Sequence, residues 1–279
     1  MSLSTFNFSA SGAHFALGTF FSIYFPVMNK NNPQSQNVKN QLALQDHDFV
    51  FTGNPIVLGW KSTASVNTSL TTAQGLVIAF YYITAVFHLF YGISGAYPEK
   101  TTSLYPDMIK NQNNWLRWVE YAISSTLMIQ IIALLCTVKD TNTFALLTSS
   151  NIVMIALGQM VEEKIREGKS PLVPILASFF LLLSQFGVIL REYIRHVNQI
   201  QEYIKTNPNV QPIPVWIPYM FGVLFLFFSC FGVVSILQAT GVISEYENVE
   251  KTYIILSLVA KTSLGAFMAY GAGGGQQRF

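Results

Sequence analysis

The sequence predicts an all-α membrane protein, a bundle of seven transmembrane helices forming one domain over residues 1–279, with a short β-hairpin in the long loop between helices 1 and 2. Three observations lead there. Hydrophobic residues make up 51% of the chain and charged residues only 11%, against about 25% charged in a soluble domain. The charges cluster between uncharged runs of about 20 residues, the length that crosses a bilayer core. The last of these runs, YIILSLVAKTSLGAFMAY from Tyr253 to Tyr270, carries one charge near its middle, Lys261.

Taken in order, the uncharged runs place spans at about 8–28, 72–96, 114–138, 143–161, 171–190, 213–239 and 249–270. Seven spans put the termini on opposite sides of the membrane. Most connections are short, so sequential helices are antiparallel neighbours. The exception is the loop 29–71, which starts polar and continues as DFVFTGNPIVLGW, residues 48–60. There Phe49 and Phe51 alternate with smaller residues, and Thr52-Gly53-Asn54-Pro55 is a turn signal, hence the hairpin. Its apolar residues would cover a helix end of their own bundle or contact a second subunit. Pro171 and Pro174 suit a helix start.

Several function classes drop out. The net charge of +2 gives no nucleic-acid signature. Cys136 and Cys230 lie within apolar runs as small hydrophobes, and no Cys or His stands beside them at metal-ligand spacing. No enzyme-like constellation is visible. Seven basic residues fall on the N-terminal side of the bundle and eight on the other, with Lys261 the remaining one of 16, so charge bias does not orient the chain.

Four titratable groups lie inside the spans: His14, His88, Glu120 and Lys261. An ammonium at membrane depth costs at least about 2.5–3.5 kcal/mol, so Lys261 needs a reason to be there. Either a carboxylate pairs with it, or it serves as an amine that forms a Schiff base, and both can hold together. At about 1.5 Å per residue, His14 and Glu120 lie about 10 Å from one membrane face, His88 about 12 Å and Lys261 about 18 Å. Glu120, Ser124 and Met128 recur every four residues on the third helix, and Ser257 is four before Lys261 on the seventh. Turning these faces together pairs Glu120 with Lys261 and offers it two hydroxyls. An inert buried ion pair is the competing reading, as are hydrogen-bonded core histidines for His14 and His88. His47 and His196 receive no role.

The stretches SLVAKTSLG (257–265) and RWVEYAISSTLM (117–128), with His14, FHLFYG (87–92) and Asn151, resemble the heliorhodopsins, retinal-binding proteins of the microbial rhodopsin type. The resemblance covers the whole chain. It implies that Lys261 carries all-trans-retinal covalently as a protonated Schiff base, with Glu120 as counter-ion. His14 and His88 would belong to a proton-accepting cavity beside it. Ser124, Ser257, Met128, Tyr121 and Asn151 would lie near the chromophore. The aromatic-rich sixth helix, with Phe225, Phe227 and Phe228, would line its ring end, with an ordinary lipid-facing or core phenylalanine the competing reading for each of the three. The resemblance further implies a homodimer in the membrane lipid, a cytoplasmic N-terminus, and slow light sensing through a signalling partner of unknown identity rather than pumping.

The residues speak against pumping as well. Outward pumps of the wider superfamily hold a second carboxylate about three turns after the counter-ion, where this chain has Ile131, and an Asp four before the lysine, where it has Ser257. Glu162, Glu163, Glu192 and Glu202 are read as solvated helix ends, although they would support the main alternative, a light-gated proton or cation conductance. The second alternative is a transporter that binds no retinal, with Lys261 and Glu120 as a lock.

Overall fold

The computed structural model describes residues 1–31, 44–52, 57–66, 70–100, 103–208 and 212–273. Among them are eight helices: α1 (Leu3–Asn31), α2 (Leu70–Ala96), α3 (Leu104–Lys110), α4 (Trp115–Leu135), α5 (Thr141–Arg166), α6 (Leu172–Thr206), α7 (Trp216–Ala239) and α8 (Tyr246–Ala272). Two strands, β1 (Leu44–Thr52) and β2 (Val57–Val66), pair antiparallel with Phe49 opposite Trp60. Gly53, Asn54 and Pro55 of the turn signal and the polar stretch 32–43 lie outside the described residues.

Six of these helices, α2 and α4 to α8, are long and apolar enough to cross a membrane. The chain is an integral, multi-pass membrane protein. Helix α1 is as long, at 29 residues, but its apolar residues are diluted by Asn7, Ser9, Ser11, His14, Thr19 and Ser22. It packs along α2 and against α8. The polar residues on those faces, Asn7, Ser11 and His14, are buried.

The helices outrun the apolar stretches. Helix α5 continues to Arg166 instead of ending near residue 161, and α6 continues to Thr206 instead of 190. A charge ends an uncharged run without ending a helix. At 35 residues α6 is about 52 Å long, well beyond the about 30 Å of a bilayer core. Its polar extension is tied back to α4: Thr137, at the C-terminal end of that helix, hydrogen-bonds through Oγ1 to His196 Nδ1 at 2.8 Å. The connection between α2 and α4 holds a further short helix, α3, whose Tyr105 and Met108 are buried.

Local chemistry sets the helix starts. Asn114 Oδ1 accepts from Arg117 N at 3.1 Å at the head of α4. Asp140 Oδ1 accepts from Thr143 N at 2.6 Å at the head of α5. Each cap satisfies a backbone donor that has no partner within its helix. The main core cluster joins α1, α2, α4, α7 and α8 through Phe21, Phe80, Ile132, Leu224 and Leu264. Gly265, one turn after Lys261, is what lets them close in: a Cβ there would lie 2.7 Å from both the Phe21 ring and Tyr81 Oη.

Candidate functional site

Lys261 and Glu120 face each other in the middle of this core. Lys261 Nζ lies 2.9 Å from Glu120 Oε1 and donates to Ser257 Oγ at 2.7 Å. Glu120 Oε1 also accepts from Thr84 Oγ1 at 2.6 Å. Both charged side chains are nearly sealed from solvent, at 2% and 3% exposure. Tyr81 Oη donates to the Lys261 carbonyl at 2.9 Å, fixing the α8 backbone at this point. The Tyr121 ring lies 5.7 Å from Nζ.

Beside the pair, His14 and His88 stack with ring centroids 5.7 Å apart and planes 2° from parallel. Asn7 Oδ1 lies 2.7 Å from His88 Nδ1. Neither nitrogen of His14 has a partner among the described residues.

On the other side, a cavity of about 60 Å³ opens from Lys261. Ser124, Ser125, Met128, Met154, Ile155, Phe228 and Ala260 are among its lining. A second cavity of about 70 Å³ adjoins it and shares Trp118, Met154, Ile155, Phe228 and Phe231. An apolar, aromatic wall of this kind is the usual lining of a ligand site. Trp118 fits there because residue 158 is glycine. A Cβ at that position would stand 2.2 Å from the Trp118 ring.

The expected pocket residues divide. Tyr121, Ser124, Met128, Ser257, Phe228 and Lys261 line the cavity. Phe227 does not; it is half-buried against the main core. Consecutive helical residues point about 100° apart, so the residue that shares the face of Phe228 is Phe231. Phe225 meets Phe186 edge to face, with ring centroids 5.2 Å apart. Asn151 is buried behind the wall, donating from Nδ2 to Ser125 Oγ at 2.8 Å and Thr126 Oγ1 at 3.0 Å. Thr84 and Asn7 had a sequence signal: each lies a whole number of turns before a buried histidine, four residues before His88 and seven before His14.

One group of residues corrects the sequence reading outright. Glu162 is no solvated helix end: it is 1% exposed and joins Arg117 and Glu250 in a buried ionic cluster. Arg117 Nη2 reaches Glu162 Oε2 at 2.8 Å, and Arg117 Nη1 donates to Glu250 Oε1. Trp118 Nε1 and Tyr246 Oη donate to Glu162, and Asn114 Nδ2 donates to Glu250 at 3.0 Å. The cluster joins the N-terminal ends of α4 and α8 to the C-terminal part of α5. The other three acids differ. Glu163 accepts from Gln159 Nε2 at 3.0 Å, while Glu192 and Glu202 make i,i+3 ion pairs with Arg195 and Lys205.

A membrane bundle whose central lysine pairs with one carboxylate and opens onto an aromatic cavity is the architecture of a retinal-binding rhodopsin. The chain belongs to the heliorhodopsin family, whose family model matches residues 37–273. That membership implies a retinal chromophore and light sensing. The match begins after α1, so it does not cover Asn7 and His14, which the packing of α1 on α2 brings to the site. No curated protein matches the chain.

Proposed function

We propose that this protein is a light sensor that carries retinal on Lys261 and signals without pumping ions. The buried pair supports the reading: Lys261 Nζ sits 2.9 Å from Glu120 Oε1 at the mouth of an aromatic cavity. Lys261 would hold all-trans-retinal through a Schiff base at Nζ, and Trp118, Met128, Phe228 and Phe231 would bind the polyene and exclude water. When bound, retinal supplies absorption of visible light and isomerisation about a double bond.

The remaining roles fall to the chain. Glu120 balances the positive charge at Nζ. Ser257 Oγ orients the N–H, and Thr84 Oγ1 orients the carboxylate. Weakening the contact between Nζ and Glu120 frees the proton for the stacked imidazoles of His14 and His88. Position 131, three turns further along α4, is a buried isoleucine, and position 257 is a serine. No second carboxylate joins Lys261 and Glu120 among the described residues, so the proton returns by the way it left. The lasting product of light is then a change of charge and packing inside the bundle, the usual form of a two-state switch. Helix α1 serves as the seventh span. The protein works as a homodimer in the cell membrane, N-terminus in the cytoplasm, and passes its signal to a partner.

Voltage clamp under illumination tests the absence of transport. A brief charge displacement with no stationary current is expected. A stationary photocurrent that reverses with voltage would replace this reading with a light-gated conductance, and one that persists at zero voltage would make the protein a pump.

A further inference from the structure

An imidazole takes up a proton only at a nitrogen whose lone pair is free. The partners of Asn7 decide which nitrogen that is in His88. Asn7 Nδ2 donates to the Leu3 carbonyl at 3.0 Å and to Tyr105 Oη at 3.0 Å. The Leu3 carbonyl can only accept, which fixes the nitrogen end of the amide. Asn7 Oδ1, 2.7 Å from His88 Nδ1, is therefore the acceptor, and the hydrogen between them belongs to Nδ1. Neutral His88 is then the Nδ1–H tautomer, with its lone pair on Nε2.

The arrangement is built and sealed. Asn7 is fully buried, as are Tyr105 and His88 to within a few per cent. Tyr105 belongs to the short helix α3, where its backbone N–H donates to Ser94 Oγ at 3.1 Å and its ring stacks on Tyr91 at 4.7 Å. The extra helix between α2 and α4 thus holds Asn7, and Asn7 holds His88. Among the described residues, Glu120 and Lys261 are the charged groups that act on His88 electrostatically.

We propose that Asn7 is a positioning residue: it fixes His88 as the Nδ1–H tautomer, which makes Nε2 of His88 the atom that receives the proton released at Lys261. The proposal rests on the retinal reading and names the acceptor within it. In the step, an N–H bond at Lys261 Nζ breaks, an N–H bond at His88 Nε2 forms, and the positive charge moves from one residue to the other. Asn7 Oδ1 goes on accepting from Nδ1–H and so supports the imidazolium as well.

The test uses the full-length protein with its histidine nitrogens isotopically labelled, studied by NMR in the dark with and without retinal. His14→Gln and His88→Gln versions assign the signals. His88 should show a protonated Nδ1 and a bare Nε2. Asn7→Leu should lose that preference, and Asn7→Asp, which keeps an acceptor oxygen, should retain it. After a flash, loss of the Lys261 proton should slow about tenfold or more in Asn7→Leu, as wrong-tautomer imidazoles do elsewhere, and far less in Asn7→Asp. A wild-type His88 protonated on Nε2 overturns the proposal, as does an Asn7→Leu protein with unchanged tautomer and rate. The tautomer is read without light or retinal, so a protein that fails to bind retinal would refute the proposed function and still show whether Asn7 sets the tautomer.

Discussion

Replacing Glu120 with Gln should either shift the visible absorbance strongly to the red or leave the Schiff base without its proton at neutral pH. The reason is proximity in a dry site. Glu120 Oε1 is 2.9 Å from Lys261 Nζ, and neither side chain is more than 3% exposed. Water cannot screen this interaction, so the carboxylate sets both the energy of the nearby cation and the hold on its proton. Glutamine keeps the size and a hydrogen-bonding oxygen but removes the charge. The absorption spectrum from pH 5 to pH 9 reads both outcomes. An unchanged band and an unchanged titration would sink the counter-ion assignment.

The second large effect is on stability. Arg117→Ala should destabilise the protein by about 3–5 kcal/mol, because it strands two buried carboxylates that share one guanidinium. Glu250→Gln should cost much less. It leaves the Arg117–Glu162 pair intact, and the amide oxygen can still accept from Arg117. Unfolding in detergent, followed by circular dichroism, ranks the two variants. Equal losses, or a tolerated Arg117→Ala, would show that the cluster does not organise the ends of α4, α5 and α8.

The sequence made much of the centre of this site legible because Lys261 is isolated. A lone ammonium in an apolar run calls for a partner, and four-residue spacing put Glu120, Ser124 and Met128 on the face that meets it. The ionic cluster was hidden for the opposite reason. Arg117, Glu162 and Glu250 each stand at the border of an apolar run, where a charge ordinarily marks the edge of a span. A weak signal was present: Glu250 and Ser257 precede Lys261 by eleven and four residues, close to whole turns, so all three share one face.

Other features had less to announce them. The seven residues of α3, LYPDMIK, are too few to show a period. The extension of α6 is polar, and hydropathy cannot follow a helix once it leaves lipid. Choosing Phe228 over Phe227 required the rotation of α7, and the uniformly apolar sequence around them carries no stripe to set it. His14 and His88 matched in depth from the sequence, but their stacking and the hold of Asn7 on one of them depend on side-chain geometry across three helices.

The proposed light sensing depends on Lys261 carrying the chromophore, and an absorption spectrum reads that directly. The full-length protein is expressed with all-trans-retinal beside a Lys261→Ala version, and both are purified. A visible band is expected in the first and none in the second. No band in either, or the same band in both, would mean that Lys261 is not the attachment point.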